Sequence, residues 1–103
     1  MKIEDLEKRE LIAGTSVRFV HGDRMTVAYW HFEPDIALPE HSHPHEQITN
    51  ITSGEFVLTV DGVPEILSAG HYRVIPPDAV HSGRSVTDCT IIDVFCPVRE
   101  DYR

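Results

Sequence analysis

Long apolar runs are missing from this chain. None approaches the roughly 18 residues of a membrane span, and the opening Met1-Lys2-Ile3-Glu4-Asp5-Leu6-Glu7 has no apolar core of signal-peptide length. A soluble, cytoplasmic protein is therefore expected. Basic charge is also scarce: nine Lys and Arg stand against seventeen Asp and Glu, a net charge of −8. With no basic run to track phosphates, nucleic acid and anionic membranes are not expected partners. Only two cysteines occur, Cys89 and Cys96, with no CxxC or Cys-His pattern. Seven residues apart on what reads as one strand, they would lie about 23 Å from each other, too far for a bridge. Free thiols follow, as in a reducing compartment, and small buried hydrophobe is the better reading of both. Internal repeats, low-complexity tracts, linkers and well-supported helices are absent as well.

What is present is a succession of short strand-like runs separated by turn signals. The candidate strands are Ser16–Val20, Met25–Glu33, Leu38–His43, Gln47–Thr52, Glu55–Val60, Val63–Leu67, Tyr72–Ile75, His81–Ser85 and Cys89–Phe95, preceded by an acidic stretch at 3–10 that has no clear pattern. The punctuation between them includes Glu33-Pro34-Asp35, Ser53-Gly54, Asp61-Gly62, Ala69-Gly70 and Pro76-Pro77-Asp78. Asp61-Gly62 between Val60 and Val63 predicts a type I′ hairpin. Many short strands with little helix predict an all-β sandwich or barrel.

At 103 residues the chain reads as one domain. A domain this small buries only about 60–65% of the surface its unfolded chain exposes, so a metal or a partner subunit is expected to add stability. In Met25–Glu33 both faces are semi-apolar, with Thr26, Ala28, Trp30 and Phe32 on one and Met25, Val27, Tyr29 and His31 on the other. Trp30 or Phe32 is therefore expected to pack on another element, most economically a second copy in a homodimer.

The chemistry concentrates at His41, His43, Gln47 and His81. In His41-Ser42-His43 the two imidazoles fall on one face of an extended strand. Gln47 has the same parity, and His81 arrives from the separate, turn-rich segment Ile75-Pro76-Pro77-Asp78-Ala79-Val80-His81. Convergence of the four would make one metal centre open to a substrate. Three imidazoles and one amide suit Zn, Ni, Fe, Co or Mn. His45 shares their parity, but Pro44 disturbs the strand beside it, so a supporting or solvent-facing role is expected. Glu46, His21, His31 and His71 are read as non-ligands. Asp93 stands inside the apolar run Thr90–Phe95, where a carboxylate is costly unless it is paired or faces a cavity. Phe95 shares its parity. Arg73 is a second cation, read as a solvated strand-face charge.

These residues resemble the cupin superfamily over roughly 14–102. Its first motif, G-x5-H-x-H-x3-4-E-x6-G, reads Asp35, His41, His43, Gln47 and Gly54 here; its second, G-x5-P-x-G-x2-H-x3-N, reads Gly70, Pro76, Asp78, His81 and Ser85. The resemblance implies a single cupin domain over 1–103, a double-stranded β-helix or jelly-roll barrel with its core at about 14–98. The departures are Asp35 and Asp78 for glycine, Ser85 for asparagine and Gln47 for glutamate. A neutral amide in place of a carboxylate leaves more positive charge on a divalent site, which favours an anionic substrate.

Within the superfamily, His41 to Gln47 and the ending Asp93 to Tyr102 look like the pectin-degradation cupins that linearise unsaturated uronates. That resemblance implies metal ligation by His41, His43, Gln47 and His81. It implies substrate roles for Asp93, Phe95 and Arg99: proton transfer by Asp93, carboxylate binding by Arg99 and ring packing by Phe95. The family's second glutamine, two residues after the ligand glutamine, is Thr49 here. The expected function is metal-dependent ring opening of a small sugar acid. The alternatives are a cupin dioxygenase with a redox-active metal, or a non-enzymatic sugar- or metal-binding cupin.

Overall fold

Alternation of side chains along each strand sets the architecture. In β2 (Thr26–Phe32) every second residue, from Thr26 through Ala28 and Trp30 to Phe32, is buried, and the residues between are half-buried. β9 (Cys89–Cys96) repeats the pattern through Cys89, Ile91, Asp93 and Phe95. A pleated strand can bury one face only if a second sheet covers it.

The computed structural model, which describes residues 1–103, supplies that second sheet. The remaining strands are β1 (Thr15–His21), β3 (Ala37–His41), β4 (Glu46–Ser53), β5 (Glu55–Val60), β6 (Val63–Ser68), β7 (Tyr72–Ile75) and β8 (His81–Ser85). One sheet has the order β1-β2-β9-β4-β7 and the other β3-β8-β5-β6, with antiparallel pairing throughout. The two face each other as a jelly-roll sandwich around a core of 14 buried apolar residues, among them Phe32, Ile51, Phe56, Leu58, Ile75 and Ile91. Two 3-10 turns, Ile3–Asp5 and Glu100–Tyr102, are the only helical segments. No helix is long and apolar enough to cross a membrane.

The turns follow the sequence closely. Asp61 and Gly62 both have positive φ, 49° and 80°, as the hairpin between β5 and β6 requires. Asp35 and Asp78, which stand where the cupin motifs have glycine, take the same left-handed conformation at φ 60° and 64°. Aspartate tolerates that region better than most residues, which is why the motif survives the exchange. Gly54 has no such latitude: at φ +80°, an added Cβ would sit 2.1 Å from the Asp88 carbonyl oxygen.

Two expectations are corrected. Trp30 and Phe32 are buried inside the sandwich, at 9% and 2% exposure, and need no second copy to cover them. Their rings meet at a tilt, 5.5 Å apart, and Phe32 meets Phe56 of the opposite sheet edge-on. The strand expected over Leu38–His43 ends at His41, leaving residues 42–45 as a loop. The His43 carbonyl accepts the Asp78 N–H rather than a ladder bond, and Pro44 has no N–H to continue one.

Both cysteines are free thiols, but only Cys89 is the buried residue expected of the pair; Cys96, at the end of β9, is exposed. Burial pushes the Cys89 thiol up to about 11, which leaves it inert as a nucleophile.

Candidate metal centre

A β-bulge, rather than simple alternation, brings His41 and His81 together. The β3–β8 register shifts between Leu38 and His41, so that His41 lies directly across from His81. Their ring centroids are 4.1 Å apart. His43 leans in from the 42–45 loop, 4.9 Å from His81. One ring nitrogen from each of His41, His43 and His81 falls within 4.8 Å of the others, a spacing that one ion could span.

The opposite nitrogens are all tied down. His41 Nδ1 donates to the Pro39 carbonyl at 2.8 Å, His43 Nδ1 to that of His45 at 3.0 Å, and His81 Nδ1 to that of Ala79 at 2.9 Å. A carbonyl can only accept, so each Nδ1 carries a proton and each Nε2 is left free to turn toward the centre. Burial, assisted by the Arg99 charge, holds His43 below the usual imidazole range, and burial lowers His81 to about 4. His81 Nε2 is buried with no protein partner.

Gln47 completes the group from β4. Its Oε1 lies 2.9 Å from His43 Nε2 and its Nε2 donates to Thr49 Oγ1 at 2.9 Å. An amide oxygen and an imidazole lone pair at that separation repel unless a cation lies between them. With His43 held neutral, a metal ion fits that role better than a proton. Two donors about 2.1 Å from one ion, at right angles, would be about 3 Å apart. The donor set therefore fits a divalent transition metal at His41, His43, Gln47 and His81.

Beside this group lies a cavity of about 340 Å³ between the sheets. Its polar corner carries His41, Gln47, Thr49, His81, Asp93 and Arg99, and its wall is apolar, including Phe32, Leu58 and Phe95. Asp93 reaches it because its strand parity matches that of Ile91 and Phe95. Burial pushes its carboxyl up to about 6, while Thr49, Gln47 and Arg99 pull the other way. Asp93 Oδ1 is buried without a satisfied hydrogen bond.

Phe95 is both core and cavity wall, edge-on to His43 at 5.7 Å. Arg99 is 6% exposed, and its guanidinium is sandwiched between the rings of Phe95 at 4.7 Å and Tyr102 at 4.2 Å. Its Nε and Nη2 already donate to the two Asp101 oxygens, at 3.0 and 2.8 Å, which holds the Asp101 carboxyl below the usual range. The fork expected to grip a carboxylate is thus engaged, and Nη1 remains for a ligand.

Other residues fall away from the centre. His45 stacks edge-on against His43 at 5.4 Å, outside the ligand group. His31 pairs with Asp88, His21 with Thr26, and Arg73 lies 3.9 Å from Glu65. Three cavity contributors were not visible in the sequence: Leu11, Ile12 and Tyr102. Arg9 ties the first two to the last, pairing with Val17 through the backbone and donating Nη1 to the Tyr102 carbonyl. The apolar pair Leu11-Ile12 just before Gly14 was the only local hint.

Fold and site define the class. A family model described as a cupin domain matches residues 28–95, and the chain belongs to that family. Among solved structures it is similar to KdgF from Halomonas sp., with a TM-score of 0.91 and 23% identity over 97% of this chain and 94% of that one. An RmlC-like cupin from Shewanella frigidimarina NCIMB 400 superposes with a TM-score of 0.92 and 29% identity, covering 97% of this chain and 91% of that one. A variant of oxalate decarboxylase from Bacillus subtilis shares the fold at a TM-score of 0.86 and 16% identity, over 94% of this chain and 29% of that one. No curated protein matches in sequence.

Proposed function

We propose that residues 1–103 form one cupin domain working as a metal-dependent enzyme on a small sugar acid, and that its reaction is the ring opening of a 4,5-unsaturated monouronate. The observation that carries this reading is Asp93: a carboxyl with a raised pKa, facing the same cavity as the His41, His43, Gln47 and His81 group. A metal-binding module alone has no use for a buried carboxyl beside its centre, whereas a proton-transfer reaction does. The resemblance to uronate-linearising cupins supplies the substrate class.

A divalent ion, when bound, supplies Lewis acidity to substrate oxygens without a change of redox state. Asp93 takes the proton of the anomeric hydroxyl as the carbonyl forms and the ring C–O bond breaks. The electron pair of that bond stays on the departing oxygen, which becomes an enolate, and Asp93 delivers the same proton to the adjacent alkene carbon as the enolate becomes a ketone. Atoms and electrons balance as an isomerisation. Arg99 offers Nη1 to the substrate carboxylate, with Asp101 and the two flanking rings holding the guanidinium still. Phe95 and the apolar wall pack the ring and exclude water.

Asp93→Asn should cut kcat by about 10²–10⁴-fold with little change in substrate binding, and Arg99→Ala should mainly raise KM. An anaerobic assay following loss of the conjugated double bond reads both. Absence of turnover with every metal tried, or a requirement for oxygen, would sink the uronate reading and leave the dioxygenase or the binding protein.

The proposed setting is a reducing cytoplasm, where Cys89 and Cys96 stay thiols. The proposed partner is a second copy, docked on the outer face of the larger sheet. There Val27, Val94, Ile48 and Val74 form one cross-strand row, with Ile48 and Val74 39% and 43% exposed.

A further inference from the structure

We propose that Thr49 is a positioning residue that decides which end of the Gln47 amide faces the three histidines. This rests on the reading of His41, His43, Gln47 and His81 as a metal centre. An amide has two chemically opposite ends of nearly the same shape, and only the oxygen can ligate a cation. Gln47 could present either, since nothing in the shape of its pocket distinguishes them.

The chemistry of its neighbours does. Thr49 follows Gln47 by two residues on β4, so both side chains enter the sandwich interior, and they are 3% and 7% exposed. Thr49 Oγ1 accepts the Gln47 N–H at 2.9 Å. A hydroxyl could instead donate to the amide oxygen, which would turn the NH2 toward His43 and leave no oxygen for an ion. What prevents this is Asp93, directly opposite Thr49 in the β4–β9 ladder. A carboxylate oxygen accepts, Asp93 Oδ1 is buried with no hydrogen-bond partner, and Thr49 is the hydroxyl facing it across the ladder. The Thr49 hydroxyl proton therefore belongs to Asp93, its oxygen is left as an acceptor, and Gln47 must offer it the NH2. The order Asp93, Thr49, Gln47 is directional, and its end point is an amide oxygen 2.9 Å from His43 Nε2.

Cobalt(II) is a suitable probe, because its affinity can be measured against a chelator and its visible spectrum reports the ligand set. Thr49→Val removes the hydroxyl and should weaken Co(II) binding by roughly 10–100-fold, the usual effect of losing a partner that orients a ligand. It should also shift the spectrum, and Thr49→Ser should restore both. In a Gln47→Leu background, Thr49→Val should change nothing further, because Thr49 acts only through that amide. Circular dichroism checks folding, and Thr49→Ala carries the same expectation should the valine variant not fold. A wild-type affinity and spectrum in both variants overturns the proposal, as does an equal further loss in the Gln47→Leu background. His81→Ala separates the two levels of the argument. If the wild type binds Co(II) and His81→Ala does not, an unaltered Thr49→Val protein refutes only the positioning role; if the wild type itself fails to bind, the metal centre and the positioning role fall together.

Discussion

β5 and the β4–β9 pair present the same alternation of buried and outward residues, yet they do opposite work. Phe56, Leu58 and Val60 of β5 are uniformly apolar and 2–3% exposed. Along the β4–β9 ladder the facing pairs run from Ile51 with Ile91, to Thr49 with Asp93, to Gln47 with Phe95. Polarity therefore rises along one strand pair toward the histidine end, while the strand across the cavity stays apolar. Buried polar groups are costly unless paired, and on β4 the Gln47 amide and the Thr49 hydroxyl pair with each other. Of the three buried atoms left without a partner, His45 Nδ1 lies beside His43, while Asp93 Oδ1 and His81 Nε2 belong to residues that line the cavity, where a ligand would be accommodated. Burial alone marks the core, and burial with an unmet hydrogen bond marks the site.

The sharpest way to break this contrast is to remove one ligand. His81→Ala should abolish tight metal binding and all activity, yet the variant should keep its far-UV circular dichroism, since the histidine contributes to the centre rather than the core. Retained stoichiometric metal, measured by elemental analysis, would mean that His45 had been misjudged. The reciprocal test strikes β5. Leu58→Ala should cost roughly 2–5 kcal/mol of stability in a denaturant titration, with metal stoichiometry unchanged in the folded fraction.

A subtler effect lies in the pH dependence of the metal-free protein. His81 titrates near 4 in the folded state and near 6.5 unfolded, so the unfolded chain binds the extra proton between them, and stability falls as pH drops through that window. Asp93 is the reverse: at about 6 folded and 3.8 unfolded, its contribution to stability is lost as pH rises through that window. The two slopes oppose each other. Asp93→Asn removes one of them, so the melting temperature of the metal-free variant should fall more steeply than that of the wild type between pH 6.5 and 4.5. Parallel curves would show that the carboxyl is not in the apolar setting described. Smallest in its effect on the site is Ile48→Asp on the outer face. It should turn a sedimenting dimer into a monomer and leave metal affinity unaltered; a wild-type monomer at micromolar concentration would remove the proposed interface.

Nearly all of the strand order along the chain was legible beforehand, because period-two burial and Asp-Gly or Pro-Pro-Asp turns are local properties. His41, His43, Gln47 and His81 were legible too, through their spacing. The route by which they meet was not. His41 faces His81 through a bulge and His43 comes from a loop, and both depend on which carbonyls and N–H groups the opposite segments leave free.

The amino-acid sequence by itself therefore determined the two-faced strands, the turns at Asp35, Asp61 and Asp78, and the residue types available for chemistry. Only the tertiary structure decided that Trp30 and Phe32 face inward to the opposite sheet and that Asp101 occupies the Arg99 fork. It also decided that Thr49 stands between Gln47 and Asp93. The reason is physical: alternation tells which residues share a face, but partners across a ladder, a loop or a cavity are set by packing between segments far apart in the chain.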